Sequence, residues 1–214
     1  MNNIWNRMKT DRYKVGGGIP VWLKHPEAKL IGGTVLNSLQ DMEKLSAGTP
    51  VEYDNKARTI KMLKEWQVKS AVADGANTVV TVKATFISPE LYAGLVVMKM
   101  PATLNGTGKA VLIGKVTQNV DKHEASFTVA TADIDGLVKG DFIVESSSDV
   151  AGAGKSIYCQ PTTVSIADTI GGDQTFADVP LGVNYIYENC IPAMPDVVKN
   201  AIKNMEWEWF NEDK

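Results

Sequence analysis

The chain has 214 residues, with 22 Lys and Arg against 25 Asp and Glu, a formal net charge of −3 and a sequence pI near 5.5. That balance excludes a nucleic-acid binder that works through a broadly basic surface, and a 44% apolar share is enough for a core without disulfide or metal staples. No run approaches the ~20 apolar residues of a membrane span, and the first fifteen residues lack the apolar stretch of a secretory signal; the expectation is a protein made without a cleaved leader and binding neither membrane nor nucleic acid.

In chain order, residues 1–18 carry Arg7, Lys9, Arg12 and Lys14 against Asp11, a local charge of +3, and end in Gly16-Gly17-Gly18. A charged, sparsely apolar stretch closed by three glycines predicts an extended arm, for which Ile4, Trp5 and Met8 are the apolar anchors. Ile19–Leu23 predicts a short extended segment with Pro20 at a strand start or edge, broken by His25-Pro26. Leu36–Leu45 is compatible with a strand end or with one helical turn.

From Ala47-Gly48-Thr49-Pro50 onward the alternation is clear. Val51 and Tyr53 alternate with Glu52 and Asp54, Ile60 and Met62 with Thr59 and Lys61, and Asp54-Asn55-Lys56 supplies the turn of a half-buried hairpin. Val80, Val82, Ala84 and Phe86 share one face of a strand closed by Ser88-Pro89. Leu95–Met100, Val111–Val120, Phe127–Thr131 and Phe142–Glu145 predict further strands, with turns at Asn105–Gly108 and Asp121–Glu124. Short strands punctuated about every ten residues describe a β-barrel or a sandwich. Ser146–Ser156 is small, polar and glycine-containing, a long loop. Strand character resumes over Ile157–Ile166, turns at Gly171-Gly172-Asp173, and returns in an extended run holding Tyr185, Tyr187, Cys190 and Ile191.

At Pro195-Asp196 the period changes. With Asp196 as N-cap, Val198, Ile202, Met205 and Trp209 recur at spacings of four, three and four, which predicts an amphipathic helix of about four turns. Its end, Glu206 to Lys214, mixes Trp207, Trp209 and Phe210 with four acids and one lysine, a net −3 opposite in sign to the arm. Opposed ends suit a contact between neighbouring subunits. The predicted architecture is therefore mainly β: an arm over 1–29, a barrel-like or sandwich-like body over 30–192 with a division into two sub-domains placed near 100–105 or 146–156, and a C-terminal amphipathic helix over 193–214.

No motif for chemistry holds. Gly152-Ala153-Gly154-Lys155-Ser156 has the lysine and hydroxyl of a phosphate-binding loop, but Asp149 stands where its first glycine belongs and the following segment is β-like. Gly106-Thr107-Gly108-Lys109 is followed by Ala110 instead of a hydroxyl. His25 and His123 are the only histidines and share no spacing with a second ligand or base; His123 reads as a turn residue. Asp133, Asp135 and Asp141 lack the ligand ladder of an EF-hand. Cys159 and Cys190, with thirty residues between them, read as two buried thiols, with a single disulfide as the alternative. No catalytic residue, metal or cofactor is expected.

Ala47-Gly48-Thr49-Pro50-Val51, with Tyr53-Asp54 and the strand Ala57–Leu63, resembles a segment of the head decoration and head-fibre proteins of tailed bacteriophages. Leu91–Val97, Gly114–Val120 and Leu137–Val144 are in keeping with that family. The resemblance covers about residues 30–145 and implies a non-catalytic virion protein on the capsid exterior, made in the host cytoplasm, commonly trimeric, whose partner is the major capsid protein. The chain is longer than a minimal decoration protein, and nothing in that family corresponds to the segment from Ser146 onward. On this reading Ile4, Trp5, Arg7, Lys9, Arg12 and Lys14 contact the shell, and Val198, Ile202, Met205, Trp207, Trp209 and Phe210 contact a sister subunit. Two rival classes are a carbohydrate-binding or adhesion module stacking sugars on Trp66, Tyr92 or Tyr185, and a hydrolase whose triad assembles only in the fold.

Overall fold

The structure, a computed structural model, describes residues 22, 30–36, 44–134, 136–147, 154–155, 161–165, 169–170, 176–180 and 182–209. Strands dominate them. They begin with β1 (Leu30–Val35), β2 (Lys44–Leu45), β3 (Pro50–Asp54) and β4 (Thr59–Met62). Next come β5 (Glu65–Asp74), β6 (Asn77–Lys83), β7 (Val96–Lys99), β8 (Thr107–Gly108), β9 (Ala110–Leu112), β10 (Val116–Asn119), β11 (Glu124–Ala130), β12 (Phe142–Glu145) and β13 (Gly154–Lys155). The last part holds β14 (Thr163–Val164), β15 (Thr169–Ile170), β16 (Phe176–Pro180), β17 (Asn184–Tyr187), the helix α1 (Asp196–Ala201) and β18 (Met205–Glu208).

The chain divides into two compact units, one formed by Met1–Met62 and Gln160–Lys214, the other by Leu63–Cys159. The second is therefore an insertion in the first. A division near 100–105 would cut through the inserted unit, between β7 and β8.

The first unit is built on a five-stranded sheet of order β14-β3-β4-β1-β16, curled into a half-barrel. The β3–β4 hairpin forms as its alternation predicts, with Val51 opposite Met62 and Tyr53 opposite Ile60. Its turn is closed by Asp54, whose Oδ1 accepts the backbone N–H groups of Lys56 at 2.8 Å and Ala57 at 3.0 Å. Strand β1 runs parallel to β4 and antiparallel to β16. One face of these strands buries Val35, Val51, Ile60, Met62, Ala177 and Val179, with Leu45, as the unit's core. At the two ends of the sheet the Thr163 hydroxyl donates to the Pro180 carbonyl at 3.2 Å, and the Asn204 side-chain amide donates to both Thr163 Oγ1 and the Pro180 carbonyl, at 3.0 and 2.9 Å. Asn204 thus draws together strands that share no ladder.

The loop before β3 explains the glycine-threonine-proline run. Gly48 has φ of 83°, a left-handed backbone, and a Cβ built there would stand 2.2 Å from Ile191 Cγ2. Its N–H donates to the Ser165 carbonyl at 2.9 Å, and the Ser165 N–H returns a bond to the Thr49 carbonyl at 2.9 Å. Pro50 then opens β3, paired with Val164 on the edge strand β14; as the first residue of its strand its missing N–H is tolerated.

The inserted unit is a seven-stranded antiparallel sheet of order β10-β11-β6-β5-β12-β7-β9, also curled. Its organising strand is β5, ten residues long, which pairs with β12 over Glu65–Gln67 and with β6 over Val68–Asp74. Between Val68 and Ser70 the register slips, leaving Lys69 as the extra residue of a bulge. The Lys69 ammonium pairs with the Glu124 carboxylate on β11. Trp66, Val68, Val80, Val82, Leu91, Leu95, Val97, Ile113, Ala125, Phe127, Val129 and Ile143 are among its core residues. The Trp66 indole N–H donates to the buried Pro89 carbonyl at 2.9 Å, so the largest core side chain is also satisfied.

The C-terminal segment departs from the predicted four-turn helix. Helix α1 covers only Asp196–Ala201, with Pro195 instead of Asp196 at the N-cap and no side-chain cap. Asn204 then engages Thr163 and Pro180, and Met205–Glu208 joins β17 as a parallel strand. Pairing with β17 overrides the helical period, helped by the aromatic residue Trp207, which suits a pleated surface. The extended run ends sooner than predicted too: Glu188–Cys190 forms a 3₁₀ turn.

Candidate interaction surface

The predicted arm residues Ile4, Trp5, Arg7, Lys9, Arg12 and Lys14, and Phe210 at the other end, lie outside the described residues, as do His25, Asp135 and Cys159. The other predicted interface residues separate by exposure. Val198, Ile202 and Met205 are buried within their own chain, whereas Trp207 is half-buried and Trp209 is 71% exposed. The same period that suggested a binding face marks packing in α1 and at the start of β18.

What the fold does present is a two-stranded parallel ribbon of β17 and β18. Tyr185 stands beside Glu206 and Tyr187 beside Glu208, while Asn184 beside Met205 and Ile186 beside Trp207 occupy the opposite face. The alternation is resolved by burial: Asn184, Ile186 and Met205 are buried, and Tyr185, Glu206 and Glu208 are exposed, with Tyr187 intermediate. On the other edge of β17, Trp22 forms an isolated antiparallel bridge with Ile186. Lys199 on α1 pairs with Glu188 and lies 3.9 Å from Asp196, so these two acids are neutralised locally. Glu206 and Glu208 have no such partner among the described residues, and the ribbon's outward face is a strip of alternating phenols and carboxylates. Trp209 extends it.

Other exposed apolar side chains in the first unit are Phe176 on the outward face of β16, Leu36 beyond the end of β1 and Val183 just before β17. In the inserted unit Val72, Leu112 and Val138 are exposed. Val138 is carried by a loop clamped from both sides: Asp141 Oδ2 accepts the Val138 N–H at 2.8 Å and pairs with Lys99 Nζ at 2.8 Å, and the same ammonium donates to the Gly136 carbonyl at 2.8 Å. Burial pushes the Asp141 carboxyl upward, but the hydrogen bond from Lys99, the Val138 N–H and the Lys99 charge together outweigh it and hold the group below its ordinary range. Asp54 is also held low, by the Ala57 and Lys56 N–H groups.

The motifs considered for chemistry resolve into scaffold. Gly154-Lys155 of the first glycine-lysine motif pairs with Thr107-Gly108 of the second as antiparallel strands, which removes the strand-to-helix turn that a phosphate loop requires. Lys109 Nζ donates to the Ala132 carbonyl at 3.1 Å. His123 is a turn residue with φ of 53° whose carbonyl accepts the Ala84 N–H at 2.9 Å. Cys190 is buried. Among the described residues no three His, Cys, Asp or Glu side chains gather in a metal-holding group, and no helix is long and apolar enough to cross a membrane. Of the three sugar-stacking candidates, Trp66 is corrected to a core residue, 1% exposed and hydrogen-bonded inside. Tyr92 is half-buried with the Lys64 ammonium 5.1 Å from its ring centroid. Tyr185 alone of the three is exposed, at 44%.

Sequence reasoning missed the strip because it treated Tyr185 and Glu206 as parts of different elements. The available signal was the period-2 pattern Met205, Trp207 against Glu206, Glu208, which the helical spacing of Val198, Ile202 and Met205 hid. No protein family, curated protein or solved structure matches the chain.

Proposed function

We propose that this chain is a non-catalytic structural protein of a tailed-phage virion, attached to the outside of the capsid, where it decorates the shell or carries a fibre. The observation that carries the reading is the contrast between the C-terminal surface and everything beneath it. Tyr185, Glu206 and Glu208 project from a ribbon whose opposite face buries Asn184, Ile186 and Met205, and Trp209 stands exposed just beyond its end, which is the arrangement of rigid aromatic anchors at a protein interface and not of a reaction centre. The resemblance of Ala47–Leu63 to head decoration proteins supplies the partner, the major capsid protein.

On this reading the two β units are folded spacers. Ile4, Trp5, Arg7, Lys9, Arg12 and Lys14 engage the shell, and the tail with Trp207, Trp209 and Phe210 meets a sister subunit in a homotrimer. Many modest contacts repeated by symmetry then give avid attachment without a deep pocket. Deleting residues 1–18 tests the assignment: the truncated protein is expected to keep its circular dichroism and to lose cosedimentation with capsids. A truncated protein that still saturates capsids overturns it.

A further inference from the structure

We propose that in the free protein the outward strip of the β17–β18 ribbon, Tyr185 and Tyr187 with Glu206 and Glu208, is the docking surface for the basic segment 1–18 of the same chain. This goes beyond capsid attachment and does not depend on it, since the contact is made without a capsid.

Three observations converge. The first is charge: the strip presents two exposed carboxylates with no ion pair among the described residues, and residues 1–18 carry Arg7, Lys9, Arg12 and Lys14 against Asp11. The second is spacing. Glu206 and Glu208 are two apart on a strand, so their side chains share a face. Arg7 and Lys9 are likewise two apart, as are Arg12 and Lys14, so an extended segment offers cation pairs at the repeat of the acid pair. Each cation then also meets a flanking phenol ring, where cation–π attraction adds to the charge pairing.

The third observation is the tether. Trp22 is bridged to Ile186 on β17, antiparallel, which fixes the end of the preceding segment beside the ribbon. Eighteen extended residues reach about 60 Å, against roughly 13 Å for a four-residue ribbon. A short tether of this kind holds the segment at an effective concentration on the millimolar scale, enough for contacts individually too weak to hold a separate peptide. The same basic residues are those assigned to the shell, so the strip and the shell compete for them.

The test uses the full chain. Glu206→Gln with Glu208→Gln leaves every tryptic site unchanged, and both side chains are exposed. The expected result is about a fivefold rise in the initial rate of tryptic cutting after Arg7, Lys9, Arg12 and Lys14, the scale of two exposed ion pairs, with cutting after Lys122 in its exposed turn unaltered. An unchanged rate at the four sites overturns the proposal. Carbodiimide coupling of an equal mixture of unlabelled and ¹⁵N-labelled wild type is expected to link Lys9 or Lys14 to Glu206 or Glu208 within one isotope only. Mixed-isotope links place the segment on a second copy and overturn the same-chain assignment, as does the absence of any such link.

Discussion

Gly48→Ala tests the packing logic of the first unit most sharply. Two costs act there. An alanine at φ of 83° adopts a left-handed backbone, worth about 1–2 kcal/mol. Its Cβ would also stand 2.2 Å from Ile191 Cγ2 and 2.7 Å from Ile191 Cβ, and such overpacking costs about 1–3 kcal/mol as the loop or Ile191 shifts. The expected loss is therefore about 2–5 kcal/mol. Gly75→Ala is the matched control: Gly75 also has positive φ, 62°, in the β5–β6 turn, but a Cβ there meets nothing within 4 Å, so only the backbone cost remains. Urea-dependent hydrogen exchange at the Val51 and Ile60 amides reads the unit containing Gly48, and at Val80 and Phe127 the unit containing Gly75. The reasoning is refuted if Gly48→Ala costs no more than Gly75→Ala, or if adding Ile191→Ala leaves the Gly48→Ala penalty unchanged in a double-mutant cycle.

Three further outcomes are expected. Asp54 has a folded pKa below its ordinary value of 3.8, so its turn contribution is full above that value and is lost as pH falls through the depressed folded value; Asp54→Asn should flatten the acid limb of the first unit's stability curve in a pH series. Asp141 is depressed in the same direction from 3.8, and Lys99→Met, which removes both the hydrogen bond and the charge, should move the Asp141 carboxyl titration upward in carbon-detected NMR while leaving Asp54 where it was. Trp66→Phe leaves the buried Pro89 carbonyl without its 2.9 Å donor and should cost about 1–3 kcal/mol by chemical denaturation of the inserted unit.

The pieces of the fold that could be read from sequence are those whose partners are neighbours in the chain. The β3–β4 hairpin follows from the alternation of Val51, Tyr53, Ile60 and Met62 around the Asp54 turn, and β6 from Val80, Val82 and Ala84. Strand β5 escaped because the bulge at Lys69 shifts the inward side chains from Trp66 and Val68 to Ala71, breaking the two-residue period where it would have been counted. The insertion of one unit into the other was equally hidden: only Leu63 and Lys64 separate β4 from β5, with no glycine, proline or polar linker to mark the crossing. The parallel pairings of β1 with β4 and of β17 with β18 depend on contacts distant in sequence. Local pattern does not encode them.

The candidate surface shows the same division. Trp207 and Trp209 stood out as aromatic residues among charges, but the strand that sets Glu206 beside Tyr185 and Glu208 beside Tyr187 is fixed by tertiary pairing and by the Asn204 clasp. Helical spacing grouped Met205 with Val198 and Ile202, and burial of all three kept that grouping true while the helix itself stopped at Ala201. A period of three and four identified an inward face without identifying the backbone that carried it.

Quantitative cosedimentation of the full-length protein with capsids stripped of their external proteins tests the central claim most directly. The account predicts saturable binding at a fixed number of copies per capsid, in multiples of three. Binding that never saturates, or full-length protein left entirely in the supernatant, contradicts it.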